Sequence, residues 1–277
     1  MDALEEPSDA LREVLQDLEY ELEAVTIPGL PGEALKILTI DELPLEALTL
    51  LEEANAEISG RRAWPGSVLL ASSLCGPEAP PVLEGRTVIE LGAGSALTSM
   101  AAARLGARTV VATDGDRTSV DLAHQNFEAN GFGCPVDEQA TPVAAATAPG
   151  LSADRLLWGS GPHNQQLRDR FAGGSGFDVV LAGDVLYKQD LPALFFESVK
   201  ELIAADGIAL LCHIPRAGVS QELVVARAEE AGLAVVRLPL EVDFALGLES
   251  DQFSRDELLA ACLYSIKLPD ASSTRGG

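Results

Sequence analysis

The chain has 277 residues, 47 % hydrophobic and 22 % charged, a composition that suits a folded globular protein and argues against wholesale disorder. Its 19 Lys and Arg against 43 Asp and Glu leave a formal charge of −24, which repels nucleic-acid phosphates and anionic lipid and attracts a basic protein or a cationic small molecule. No apolar run reaches the roughly 18 residues of a membrane span, and the acidic start MDALEEPSDA lacks the character of a targeting peptide. These features predict an intracellular protein, cytoplasmic and also nuclear in range, with no membrane and no nucleic-acid partner.

Residues 1–60 hold 16 acidic and 2 basic side chains. Leu11, Val14, Leu15, Leu18, Leu22 and Val25 recur at helical spacing and predict a helix over 8–25, with Ser8 as its cap. The Pro- and Gly-rich run from Ile27 to Gly32 ends it, and Leu48, Leu51, Ala54 and Ile58 predict a second helix over 45–58. Together these make an acidic helical extension over 1–60, ahead of a domain over 61–277.

From Trp64 onward the texture alternates. Continuous apolar runs predict buried strands over 87–91, 109–113, 177–181, 207–213, 233–238 and 259–267. Helical patterns fall over 96–105, 118–130, 191–204 and 220–231. Strands alternating with helices predict an α/β fold with a mostly parallel sheet covered on both faces. Residues 136–160, rich in Ala, Thr, Pro and Gly, hold one weak strand signal and an exposed loop.

The first strand of this region runs into Val88-Ile-Glu-Leu-Gly-Ala-Gly-Ser-Ala-Leu97. Gly92 and Gly94 allow a sharp strand-to-helix turn and a close ligand approach. By itself such a turn fits NAD, FAD or S-adenosylmethionine, or no ligand at all. Glu90 stands where a dinucleotide fold usually has an apolar residue, and a carboxylate there suits the ammonium of an amino-acid cofactor. Ala96 and Leu97 occupy the corner where the pyrophosphate of NAD wants a third glycine. Asp114 closes the next strand about 20 residues on, where a carboxylate can accept both ribose hydroxyls. The four cysteines and three histidines are scattered, with no metal-ligand spacing, and predict free thiols and no metal.

With these motifs in place, residues 64–267 resemble the class I, seven-β-strand methyltransferases that use S-adenosylmethionine, and within them the family-16 protein lysine methyltransferases. The resemblance rests on Trp64-Pro-Gly-Ser before a helix, Glu90-Leu-Gly-Ala-Gly94, Leu105-Gly-Ala, and Thr113-Asp114. It continues through Leu122, Asn126 and Asn130, Leu157-Trp-Gly159, and Asp178-Val-Val-Leu-Ala-Gly-Asp184-Val-Leu-Tyr187. It implies a Rossmann-like seven-stranded sheet with a last antiparallel strand, and S-adenosylmethionine as cofactor. Glu90, Gly92 and Gly94 would face its methionine part, Asp114 its ribose and Trp158 its adenine, with Trp64 walling the pocket.

Asp184 and Tyr187 match the acid-x-x-aromatic signature that the family sets beside a protein substrate, and are the expected catalytic pair. Three departures stand out. Leu157 replaces a frequent Asp, Ala96 replaces a glycine and needs an ordinary backbone angle, and the family's short amino-terminal hairpin has no counterpart before Trp64. The expected activity is methylation of a protein side-chain nitrogen, lysine first, on a possibly basic partner; the sequence sets no oligomeric state. A small-molecule amine acceptor and a non-catalytic cofactor-binding interaction protein are the other readings.

Overall fold

A computed structural model of the chain describes residues 20–40, 49, 60, 62–76, 83–132, 150–216, 218–243 and 253–269. Seven strands form one sheet: β3 (Thr87–Leu91), β4 (Thr109–Asp114), β5 (Gly150–Arg155), β6 (Phe177–Gly183), β7 (Ile203–His213), β8 (Ala234–Leu238) and β9 (Cys262–Lys267). Their spatial order is β5-β4-β3-β6-β7-β9-β8, with β9 antiparallel to both neighbours and the other pairs parallel.

Burial explains which runs were legible. All five residues of β3 are buried, as a central parallel strand with both faces covered requires. Its side chains divide by alternation: Val88 packs with α1 (Pro65–Ser73), α2 (Leu97–Arg104) and α3 (Arg117–Ala129), whereas Ile89 and Leu91 pack on the opposite face. That face is covered by α4 (Gly161–Ala172), α5 (Leu191–Leu202) and α6 (Gln221–Glu230). A short α7 (Arg255–Leu259) precedes β9, opened by a capping box between Ser254 and Glu257. Leu259, expected to open the last strand, therefore ends α7, and the strand begins at Cys262.

Helix α4 escaped the pattern reading because it buries only Asn164 and Leu167, too few to print an apolar stripe. The weak strand signal within 136–160 is β5, an edge strand whose residues are mostly half-buried.

The amino-terminal reading needs correction. Residues 21–25, expected to end a helix, are strand β1 (Glu21–Val25), paired antiparallel with β2 (Leu35–Thr39). The Pro- and Gly-rich run between them is the hairpin's connection, with Gly29 and Gly32 at φ 81 and 93. The helical spacing failed because Leu22 is 54 % exposed, so it belongs to no buried stripe. On β2, Leu35 and Ile37 are fully buried and seat the hairpin in the core shared by α2 and α3. The hairpin that the family resemblance implied, and that the pattern did not reveal, is thus present. The rest of the 8–25 stretch and nearly all of 45–58 lie outside the described residues; Thr49 is described, and is helical.

Candidate active site

Strand order reverses between β3 and β6, and the crevice outside their carboxyl ends is where open α/β sheets take ligands. At that point β3 turns into α2 through Gly92 at φ 68 and Gly94 at φ 50, angles that favour glycine. A Cβ on Gly92 would stand 2.8 Å from Val185 Cγ1 and 3.3 Å from the Trp158 ring. The glycine turn, the loop after β5 and the loop after β6 therefore meet at one place. On Gly94 a Cβ would stand 3.1 Å from the Cα of Gly60, so the segment before α1 lies over the same turn.

Ala96 departs from expectation. It is buried and left-handed at φ 57, where a non-glycine residue carries roughly 1–2 kcal/mol of strain. The family's glycine preference has a visible cause here, and this chain tolerates the alanine at the start of α2.

Two carboxyls flank the turn. Glu90 is buried, and its Oε2 accepts hydrogen bonds from the Ser99 amide at 2.8 Å and the Ser99 hydroxyl at 2.6 Å. Burial pushes Glu90 up to about 7, against the pull of those donors. Asp114 accepts from the Gly94 amide on Oδ2 and from the Asp116 amide on Oδ1, each at 3.0 Å. Burial pushes it up to about 6, with the amide donors opposing and the Asp116 charge adding. Both groups stand close to ionisation at neutral pH, and a cationic ligand would complete it. Trp158 stands edge-on to Phe195, with centroids 5.2 Å apart, and offers a flat apolar wall beside Gly92.

The acceptor end expected from the sequence centres on Asp184, the residue after β6. It is 5 % exposed and left-handed at φ 62, and its amide donates to the Cys212 carbonyl at 2.9 Å. Arg216 Nη1 donates to Asp184 Oδ2 at 3.1 Å, and Nη2 stands 3.1 Å from Oδ1 as an ion pair while donating to the Asp184 backbone carbonyl at 3.4 Å. The Gly66 amide at the start of α1 favours the ionised carboxylate. Burial pushes Asp184 up to about 6, and Arg216 holds it back. Arg216 lies over the Trp64 ring at 5.3 Å and the Phe253 ring at 4.8 Å, and those two rings meet edge-on at 5.8 Å.

The expected residues thus fall into two neighbouring groups. Gly92, Gly94, Asp114 and Trp158 are joined by direct contacts, and Glu90 is tied in through the Thr113 hydroxyl, which donates to its backbone carbonyl at 2.6 Å. Trp64 and Asp184 are joined through Arg216. Tyr187 lies half-buried three residues beyond Asp184, with the Lys188 ammonium 5.8 Å from its ring. Arg216 and Phe253 were missed, since each comes from a loop distant in sequence and carries no local motif. His213, the strand-end histidine, is buried, its Nε2 3.1 Å from the Val219 carbonyl, and burial holds it down to about 4, hence neutral. Cys75, Cys212 and Cys262 are free thiols, and among the described residues no cluster of His, Cys, Asp and Glu could hold a metal.

A glycine cradle, two near-neutral carboxyls and an indole wall fit a cationic amino-acid nucleoside. Comparison with known proteins agrees in fold. A methyltransferase-like protein of Streptococcus mutans, described as S-adenosylmethionine-dependent, superposes with a TM-score of 0.55 at 13 % identity, over 91 % of this chain and 57 % of that one. A 16S rRNA methyltransferase of T. thermophilus, solved with AdoMet and guanosine, gives 0.52 at 18 % identity, over 90 % and 51 %. The chain has the class I S-adenosylmethionine-dependent methyltransferase fold.

In sequence, it is similar to the protein N-terminal and lysine N-methyltransferases EFM7. The Neurospora crassa protein is 31 % identical over 57 % of this chain and 49 % of its own length. That of Eremothecium gossypii is 32 % identical over 58 % and 57 %. The chain therefore spans about half the length of these curated relatives. Residues 77–148 match the ribosomal protein L11 methyltransferase (PrmA) family. Among the described residues no helix is long and apolar enough to cross a membrane.

Proposed function

We propose that this chain transfers a methyl group from S-adenosylmethionine to a nitrogen of a protein, with a lysine side chain as the acceptor. The observation that carries the reading is the pair of buried carboxyls, Glu90 and Asp114, poised near neutrality around a positive-φ glycine turn. A cofactor with an ammonium, a sulfonium and a ribose meets both needs of that pair, positive charge and hydroxyl donors. When bound, it supplies a methyl group on a cationic sulfur, which keeps the electron pair of the broken carbon–sulfur bond.

The chain's own residues bind and orient. Gly92 and Gly94 leave room for the methionine part, and Asp114 accepts from the ribose hydroxyls. Glu90 adds negative charge behind the turn, Trp158 flanks the adenine, and Trp64 walls the pocket. Much of the remaining work is alignment of the acceptor nitrogen for in-line displacement. A free lysine titrates near 10.4, so presenting it as a neutral amine at pH 7 costs about 4–5 kcal/mol. Burial beside a cation lowers that cost, and the amine proton leaves to solvent. Asp184 and Tyr187, at the carboxyl edge of the sheet, serve as the catalytic pair: the carboxylate orients the amine and the ring receives its alkyl stem.

The relatives' names join protein N-terminal and lysine acceptors, which supports a protein amine and makes an N-terminal α-amine the second reading. The charge of −24 supports a basic partner protein, met in the cytoplasm or nucleus. We take residues 1–60 as an acidic extension to a methyltransferase domain over 61–277, with the hairpin of the extension docked on that domain.

Methyl-tritiated S-adenosylmethionine incubated with a protein extract tests the reading, with wild type beside Asp114→Ala. A discrete labelled protein band, absent with the variant, is expected, and amino-acid analysis of the band names the acceptor. Cofactor binding without a labelled band would move the small-molecule amine or the non-catalytic reading ahead.

A further inference from the structure

Asp184 has a demanding environment for a residue expected to meet a substrate. Its left-handed backbone is pinned by Cys212, and Arg216 donates to its Oδ2, pairs with its Oδ1 and donates to its backbone carbonyl. A carboxylate offers about four lone-pair sites, and the Arg216 hydrogen bond takes one on Oδ2. Others remain for an acceptor nitrogen. Arg216 itself is fixed by the two aromatic faces of Trp64 and Phe253, so its plane is set before any ligand arrives. Four segments distant in sequence converge on this arginine: the start of α1, the residue after β6, the loop after β7 and the loop before α7.

We propose that Arg216 is a positioning residue for methyl transfer, which, seated between Trp64 and Phe253, orders the Asp184 carboxylate toward the acceptor nitrogen. This rests on the methyltransferase reading above. Arg216 acts through Asp184 and not on the reacting atoms.

Other charged and titratable groups surround the pair, and the Arg62 guanidinium stands 5.7 Å from the Trp64 ring that also carries Arg216. Cys212 on β7 is a buried thiol pushed well above its usual range by desolvation, with the Asp184 charge adding. His213 beside it is neutral, and the half-buried Glu257 on α7 feels the Arg216 charge. The Arg216 cation is what holds the Asp184 carboxyl down against its burial. Removing Arg216 leaves a buried carboxyl that takes up a proton more readily, so transfer loses its acid-side activity at higher pH than in wild type.

The test compares wild type, Arg216→Met and Arg216→Lys by label transfer across pH 5.5–9, calorimetric cofactor affinity, and carboxyl-carbon NMR of Asp184 assigned with Asp184→Asn. Arg216→Met is expected to lower kcat at pH 7 by about 10- to 100-fold with cofactor affinity within about threefold. Its acid limb and its Asp184 titration should both move up by about one pH unit. Arg216→Lys should fall between the two, and millimolar guanidinium should restore part of the activity of Arg216→Met. Unchanged kcat and pH profile in Arg216→Met, or an Asp184 carboxyl that titrates as in wild type, would overturn the proposal. If Arg216→Met does not fold, Arg216→Lys is read for the same two shifts, and their absence overturns it equally. Wild type that binds cofactor yet labels no protein would sink the methyl-transfer reading alone, because the carboxyl titration needs no acceptor.

Discussion

The side-chain oxygen of Asn126 accepts a hydrogen bond from the Leu38 amide at 2.8 Å, while its nitrogen donates to the Ser95 carbonyl at 3.0 Å. One fully buried amide thus ties the amino-terminal hairpin to the loop that carries Gly92 and Gly94. Asn130, one helical turn on, accepts from the Lys36 amide at 2.8 Å and extends the seam along β2.

Asn126→Ala leaves the Leu38 amide and the Ser95 carbonyl without these partners, at a cost of about 2–4 kcal/mol. A lowered urea midpoint and loss of hydrogen-exchange protection at Leu38 are the expected outcomes. Asn126→Asp keeps the acceptor and loses the donor, so Leu38 should stay protected while overall stability falls.

Asp114 and Glu90 predict how cofactor binding depends on pH. Their folded values, about 6 and about 7, lie above the ordinary 3.8 and 4.5. In the ligand-free protein their stabilising contribution is complete below pH of about 4 and is lost as pH rises through 6 to 7. A cationic cofactor favours the ionised forms, so its affinity should rise as pH climbs through the same window, by up to about tenfold between pH 5.5 and 7.5. Proton release on binding, seen as a calorimetric heat that varies with buffer, checks the sign. Affinity that falls across this window would contradict it.

Gly92→Ala combines two penalties. At φ 68 any side chain is strained by roughly 1–2 kcal/mol, and the new Cβ meets Val185 at 2.8 Å. Cofactor affinity should drop by about 100-fold or more. Gly131→Ala serves as the control: its φ of 74 carries the strain, but nothing lies within 4 Å of the new Cβ. That variant should lose about 1 kcal/mol of stability and bind cofactor as wild type does.

Tyr187 can act by its ring or by its hydroxyl. If the ring face receives the acceptor stem, Tyr187→Phe keeps kcat/KM within about threefold and Tyr187→Ala lowers it by about tenfold. Steady-state kinetics on a labelled acceptor peptide separates the two, and a Phe variant as weak as the Ala variant would assign the role to the hydroxyl.

Local physics made the centre of the molecule legible before any coordinates. Strand β3 lies where its apolar run predicts, because a strand buried on both faces can carry few polar residues. The glycine turn reads directly as well, since Gly92 and Gly94 answer to their own backbone angles. Asp114 follows from its place at the end of the next strand. Strand β1 was misread because its neighbour in space, β2, and the Asn126 and Asn130 amides that hold β2 leave no mark on its own residue spacing.

What the sequence by itself determined is therefore the alternating α/β order and the glycine turn after β3, set by burial period and backbone angle. Only the tertiary structure decided the docking of the hairpin, the left-handed Ala96 and the gripping of Asp184 by Arg216 between Trp64 and Phe253. Asp184 and Arg216 stand 32 residues apart on different loops, and a charge pair formed by chain folding has no period to read.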